Sequence, residues 1–363
     1  MLLYQIALSL VREIGPVNGK KLISYMGSPQ AVFEDDRKKI AAIPGISRKL
    51  IQELNSKEPL RKAEQEMYYL EKNNIKPLFY TNKSYPQRLL HCADAPMMVY
   101  YKGNADVNHP RIISVVGTRS CTEYGKYICE KIVEALKEAG VLVISGLAFG
   151  IDSYAHRFAL KHKMETIGVI AHGHDTMYPA QNKPLAKKML EQGGIISEWS
   201  SKVIPEKIMF PRRNRIIAGM ADATVVIEAG HKGGALITAD IANSYNRDVY
   251  AVPGRSYDKY SEGCNELIKT NQAALATSGK DILKMMGWEV TDEKTRQRQR
   301  KLFEELNEEE RKIINTLRTH GPSSLDWLAI EINIPGSKLS SILLKLEFEG
   351  LLKTLPGNQF QLL

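Results

Sequence analysis

Cysteine is scarce: four residues in a chain of 363. Cys92, Cys121, Cys129 and Cys264 form no CxxC pair and no metal-ligand spacing. A disulfide framework and a zinc module are thereby excluded, and a reduced, cytoplasmic compartment is expected. Long apolar runs are missing as well. None approaches the ~20 residues that a membrane span requires, so no membrane partner is expected. The opening MLLYQIALSLVREIG has no basic leader region and no small-residue cleavage site. With Arg12 and Glu13 inside it, it reads as an amphipathic helix rather than a signal peptide. GxGxxG, GxSxG and HExxH are absent, which removes the usual dinucleotide fingerprint, the hydrolase nucleophile elbow and the zincin helix. GPVNGKK at 15–21 fails as a Walker A loop because only three residues separate its glycines. His172 and His174 lie beside Asp175, but no further His or Cys cluster supports a metal there. No cofactor is expected.

What the chain has in excess is positive charge. Fifty Lys and Arg face 41 Asp and Glu, a net charge of +9, which favours a polyanionic partner. Hydrophobic content of 43% and charged content of 25% describe a globular protein. The length exceeds one ordinary core and predicts two or three domains.

Three blocks follow one another. Residues 1–75 contain two similar phrases, IGPVNGKKLI at 14–23 and IPGISRKLI at 43–51. Each sets an apolar residue and a Gly-containing turn before a basic helix start. This resembles a helix-hairpin-helix element, whose turn N–H groups can meet a phosphate. A purely structural turn in a small helical bundle is the competing reading. Residues 289–304 read as a charged linker carrying KTRQRQRK at 294–301, and EELNEEE at 304–310 then turns acidic. Residues 305–363 predict three helices and a β-hairpin, a winged helix, with Ser323 as an N-cap, Pro335 at N1, Gly350 at C′ and a turn at Pro356-Gly357-Asn358. Its third helix has only Lys338 and Lys345, opposed by Glu347 and Glu349, so protein contact competes with duplex reading.

Residues 76–288 alternate apolar runs with helical patterns. RIISVVG (111–117), VLVIS (141–145), TIGVIA (166–171), GIIS (194–197), ATVVIE (223–228) and DVYAV (248–252) are continuous apolar runs. Helix-length segments at 123–140 and 233–246 lie between them. This pattern predicts an α/β, Rossmann-like parallel sheet covered on both faces, with a ligand at the carboxyl ends of its strands. The residues just past those ends are Gly117, Thr118 and Arg119; Ser145, Gly146, Leu147, Ala148 and Gly150; Lys183; Arg212, Arg213, Asn214 and Arg215; and Lys232, Gly233 and Gly234. Glycines allow close approach of an anion, helix N-termini supply donors, and Arg supplies a planar fork. Arg212 and Arg215, spaced i,i+3, are expected to share one helix face at the rim of an anion-binding cleft. The competing role is pairing with Asp152 or Glu228, and a mixture of binding and structural arginines is expected. Asp152 is read as an N-cap.

VVGTRS, SGLAFGIDSYAH, DTMYPAQN, FPRRNRIIAG, EAGHKGGALITA and AVPG occur in that order over roughly residues 80–285. Together they resemble the DprA (Smf) family of DNA-processing proteins. That resemblance implies a single-stranded-DNA-binding, non-enzymatic protein that protects incoming DNA in natural transformation and helps load a RecA-type recombinase. It also implies a homodimer. Carried over by position, Arg119 is the foremost DNA contact, followed by Gly146, Leu147, Gly150, Arg212, Arg213 and Asn214. Gly233-Gly234-Ala235 stands where members commonly have Ser-Gly-Ser, which removes two hydroxyls and leaves Lys232 to compensate. Ala180 follows Tyr178-Pro179 where a basic residue is common, and Lys183 is its substitute. Phe149 and Phe210 are candidate base-stacking rings. Two other functions stay in play: a phosphoribohydrolase-like nucleotide enzyme, faintly echoed by GHKGGA, and a duplex-reading transcription regulator.

Overall fold

Every one of the six apolar runs is a strand in the computed structural model, which describes residues 1–11, 14–35, 37–289, 306–348, 351–355 and 359–362. They are β3 (Ile112–Gly117), β4 (Leu142–Ser145), β5 (Thr166–Ile170), β6 (Gly193–Ser197), β7 (Ala223–Ile227) and β8 (Asp248–Ala251). Three further strands went unread in the sequence: β1 (Lys76–Phe79), β2 (Met98–Gly103) and β9 (Ala274–Leu275). They are short or partly polar, and β1 and β2 run antiparallel at one edge. The nine strands are ordered β1-β2-β6-β5-β4-β3-β7-β8-β9, and the six central ones are parallel neighbours.

Burial on both faces explains why these strands lack an apolar–polar alternation. Ile112 and Val116 of β3 enter one core with Leu142, Ile144 and Val226. Ile113 and Val115 enter the other with Val143, Val225 and Ile227. Helices Glu123–Glu138, Ile151–Lys161 and Gly279–Met285 cover the second face; Met209–Met220 and Gly234–Ser244 cover the first. A buried polar pair joins two central strands, Ser114 Oγ to Thr224 Oγ1 at 2.8 Å. At the strand starts, Arg88 grips Asp222 through two bonds of 2.7 and 2.9 Å, while Asp222 also accepts from the Ile112 backbone.

The chain divides into two units, Met1–Glu289 and Val290–Leu363. The N-terminal helices therefore belong with the sheet. Their core, including Ile6, Leu22, Leu50 and Leu70, runs on into Phe79, Met98 and Tyr100 of the edge strands. The two hairpin phrases have different surroundings. Gly19, in the first, lies so close to the sheet that a Cβ there would sit 2.0 Å from Met97 Sδ. Gly45, in the second, is exposed with φ +81°, and Ser47 Oγ caps the next helix by accepting from Leu50 N.

The second unit has helices Glu308–His320, Leu325–Ile332 and Gly336–Phe348 and a three-stranded sheet of Ser323–Ser324, Gln359–Leu362 and Leu352–Leu355. Its second helix is capped by Ser324, whose side chain accepts from Trp327 N, and not by Ser323, whose hydroxyl donates to Gly321 O. Pro335 precedes the third helix and its carbonyl accepts from Leu339 N, so it occupies the cap position rather than N1. Gly350, the 356–358 turn and the 290–305 stretch that holds the linker lie outside the described residues, as do Arg12 and Glu13. Lys338 and Lys345 of the third helix are tied to Glu309 and Glu310 at 2.5 and 2.7 Å.

His156 sits fully buried between helix Ile151–Lys161 and β5, its Nδ1 2.7 Å from Thr166 Oγ1. Thr166 donates its own proton to Val143 O at 2.8 Å, so it accepts from His156. Burial pushes the His156 pKa down to about 3. The unfolded chain therefore takes up this proton first, and stability falls as pH drops below the ordinary histidine range, by up to ~1.4 kcal/mol per pH unit for one such group. Urea unfolding between pH 7 and 4 should show this loss, and NMR should show a neutral His156 ring in the folded protein at pH 5. A ring that titrates near pH 6.5 in the folded state would contradict this placement.

Candidate nucleic-acid interface

The order of strands reverses direction at β3 and β7, and the crevice outside such a switch point is where open α/β sheets bind ligands. Thr118 N donates to Glu228 O at 2.7 Å across this point. The Glu228 carboxylate accepts from Thr122 N at 2.8 Å and from the Thr122 hydroxyl, which starts helix Glu123–Glu138. Glu228 is therefore committed to holding the turn and pairs with no arginine among the described residues. Glycines bring the neighbouring loop in. A Cβ on Gly150 would lie 2.1 Å from Thr118 O, and one on Gly117 would lie 2.0 Å from Ile227 O. Backbone packed this tightly presents Arg119 outward. Arg119 is exposed, makes no hydrogen bond or ion pair among the described residues, and lies over the Phe210 ring at 5.7 Å.

The arginines of FPRRNRIIAG take three different roles on helix Met209–Met220. Arg213 is 4% exposed and donates through Nη1 to Gly146 O and, at 2.6 Å, to Val169 O. Asp152 closes on the same spot: a Cβ on Gly146 would meet Arg213 Nη1 at 2.1 Å and Asp152 Oδ2 at 2.5 Å. Asp152 is thus not the expected N-cap. Gly150 holds that position with φ +75°, and Asp152 is the second helical residue, buried against the guanidinium. Burial pushes the Arg213 pKa down to about 10, still far above neutrality. Burial also raises the Asp152 pKa, against the pull of Arg213. Arg215 turns the other way, donating to Glu198 and to Asp94 O, and is 7% exposed. The shared rim face expected of Arg212 and Arg215 is therefore not formed: one is exposed, the other paired inside. Asn214 spends both ends of its amide, accepting from Arg213 Nε at 3.2 Å and donating to Gly234 O at 3.1 Å.

Around Arg119 a narrow crevice is lined by Gly146, Ala148, Phe149, Tyr178, Phe210 and Arg213, with Ile170, Ala171 and Pro179 at its base. Tyr178 and Phe210 lie 5.6 Å apart, ring to ring, and Tyr178 is 49% exposed. Sequence reading did not single out Tyr178 as a ring of this crevice, although the Tyr-Pro phrase marked the segment. Buried His172 positions it: His172 Nε2 accepts from Tyr178 N at 3.1 Å while Nδ1 donates to Gly173 O at 2.8 Å. His174 is bonded to Tyr100 O at 2.9 Å instead, so these two imidazoles serve backbone, and the described residues hold no metal-type cluster. Asn182, also buried, donates to Leu147 O at 2.8 Å and Ser153 Oγ at 2.9 Å, fastening the Tyr178 segment to the loop after β4. Ser145 Oγ donates to Val115 O at 2.6 Å and is buried.

The remaining candidates stand apart from this crevice. Lys183 opens helix Lys183–Met189 and lines a neighbouring groove with Lys102 and Lys187. Lys232, Gly233 and Gly234 are exposed before helix Gly234–Ser244. Gly233 has open space around it, whereas Gly117, Gly146 and Gly150 are filled by the protein's own atoms. Arg212 borders a separate cavity between the N-terminal helices and the sheet.

A DNA recombination-mediator protein A family model matches residues 76–287, a DprA winged-helix model residues 299–358 and a SAM-like helix-hairpin-helix tandem model residues 6–54. Protein Smf of Synechocystis is 31% identical over 99% of this chain and 98% of its own length. DNA processing protein DprA of Streptococcus pneumoniae is 42% identical over 55% of this chain and 70% of its own. The X-ray structure of DNA processing protein A from Streptococcus pneumoniae superposes with a TM-score of 0.63 at 31% identity, covering 78% of this chain and 98% of that one. A structure of the Helicobacter pylori DNA processing protein A, described for its single-stranded DNA binding mode, gives a TM-score of 0.53 at 26% identity over 58% and 95%. A family model that matches more than half of the chain, together with a relative 31% identical along nearly its whole length, makes this chain a member of the DprA/Smf family of DNA recombination mediators.

Proposed function

We propose that this protein binds single-stranded DNA through the Arg119 crevice, protects incoming strands during natural transformation and helps load a RecA-type recombinase. The observation that carries the reading is the uncommitted Arg119 stacked over Phe210, with Tyr178 beside it. A cation next to exposed rings suits a phosphate followed by an unstacked base; a duplex offers the phosphate but keeps its bases stacked and paired. The relative from Helicobacter pylori is described by its single-stranded DNA binding mode, which supports the same reading. The narrow crevice engages few nucleotides, so a homodimer that presents two crevices to one strand would raise affinity by linkage.

No catalytic step is proposed. Glu228, the carboxylate nearest the GHKGGA loop in sequence, is occupied by Thr122, which disfavours a phosphoribohydrolase role. Duplex reading by the winged helix is disfavoured by its third helix, whose two lysines are neutralised by Glu309 and Glu310.

Arg119→Ala should weaken oligothymidine binding about tenfold or more, equally for other sequences. It should also flatten the slope of log K against log salt by ~0.7, the value for one phosphate of a single strand that is no longer neutralised. Fluorescence anisotropy at several salt concentrations measures both; unchanged binding removes Arg119 from the interface. Phe210→Ala should reduce affinity by ~1–3 kcal/mol, the range for one stacked base, with the salt slope preserved. Arg215→Ala should instead lower stability by about 3 kcal/mol, since it leaves Glu198 buried and unpaired, and urea unfolding reads that loss. Removing residues 305–363 should leave most single-strand affinity in place; its collapse would move the main site into the winged helix.

A further inference from the structure

Between the first hairpin phrase and the foot of helix Met209–Met220 lies a cavity of about 250 Å³. Its walls are Ile14, Pro16, Met97, Trp199 and Val203. That volume is just under the ~300 Å³ at which pockets for drug-sized ligands begin, and pockets prefer such junctions between structural blocks. It suits one flat ring system. Among the described residues that line it, two are charged. Arg212 is exposed and makes no hydrogen bond or ion pair among the described residues. Glu198 binds Arg215 through one carboxylate oxygen, while the other, Oε2, is buried without any donor. A buried acceptor left unpaired costs free energy, and an incoming N–H removes that cost. Every nucleobase carries an N–H on its Watson–Crick edge.

The position matters as much as the lining. Phe210 and Arg213 face the Arg119 crevice, and Arg212, between them in sequence, faces this cavity. The first turn of one helix therefore separates two adjacent sites. A strand whose base stacks at Phe210 would pass its backbone over Arg212 on leaving.

We propose that this cavity receives one nucleobase of the strand held at Arg119, stacked on Trp199, with the intervening phosphate on Arg212. The proposal rests on the single-strand reading above. It gives the N-terminal helices a direct share in the strand-binding surface, through the wall that the first hairpin contributes. It also gives the exposed Arg212 a partner distinct from that of its buried neighbours.

The chain has three tryptophans, so Trp288→Phe with Trp327→Phe leaves Trp199 as the sole emitter in the full-length protein. Oligothymidines of increasing length are titrated while anisotropy of a labelled strand reports binding and tryptophan emission reports the cavity. We expect strands long enough to pass Arg212 to quench Trp199 and to bind at least about fivefold more tightly than short ones, the low end for one stacked base. Val203→Phe, which fills the cavity from its wall, should abolish both the quenching and the length-dependent gain while leaving short strands bound as before. One abasic nucleotide, moved along the long strand, should reproduce that loss at a single position. Binding seen by anisotropy with Trp199 emission unchanged overturns the proposal and leaves the Arg119 site standing. So does a Val203→Phe protein that folds and retains the full length-dependent gain. Absence of strand binding by anisotropy overturns the single-strand reading and this proposal together.

Discussion

The buried guanidinium of Arg213 is the contact on which the site depends. It joins helix Met209–Met220 to the ends of two strands by donating to Gly146 O and Val169 O. A charged group taken out of water is tolerated only when its donors are used and an opposite charge is close. Here both conditions hold, since backbone carbonyls take the N–H groups and Asp152 lies against the same glycine. Gly146 follows from this arrangement, because any side chain there would occupy the space of the Arg213 guanidinium and the Asp152 carboxylate. So does the helix register, which puts Phe210 and Arg213 on the crevice and turns Arg212 away from it.

Arginine clusters invite the assumption that every member binds the anion. The three in this helix divide the work instead. Arg213 is an internal staple, Arg215 closes the far side through Glu198 and Asp94, and only Arg212 is left to solvent. The planar fork that suits Arg to phosphate suits it equally to backbone carbonyls and carboxylates, so residue type alone does not separate these roles. The principal outward cation comes from a different loop, at Arg119.

Around that cation the neighbouring groups are held by short polar ties. His172 fixes the backbone of Tyr178, Asn182 ties the Tyr178 segment to the β4 loop, and Glu228 holds the Thr118–Thr122 turn. These ties fix the backbone from which Tyr178 and Arg119 project, so a ligand there would have less loop to order. The small groove is therefore built from rigid parts, although its rings and its cation remain exposed.

The central strands were legible because a strand buried on both faces must be apolar along its whole length, and six such runs stand out between helical patterns. The winged helix was legible for a similar reason, from three helical periods and a closing pair of strands. β1 and β2 escaped notice because an edge pair beside a helical block carries no such continuous signal. The sequence alone also pointed to Gly with Arg, Lys, Ser and Thr gathering at the carboxyl edge, since parallel strands bring their ends together. Only the tertiary structure decided which of those residues face outward. Helix rotation, set by the Arg213 staple, buries one arginine and exposes its neighbour. The glycines of the β3 and β4 loops prove to admit the protein's own backbone and side chains, while Gly233, just before helix Gly234–Ser244, faces open space. Such outcomes depend on what lies across a gap of a few ångströms, and those contacts join residues as distant in sequence as Gly146 and Arg213.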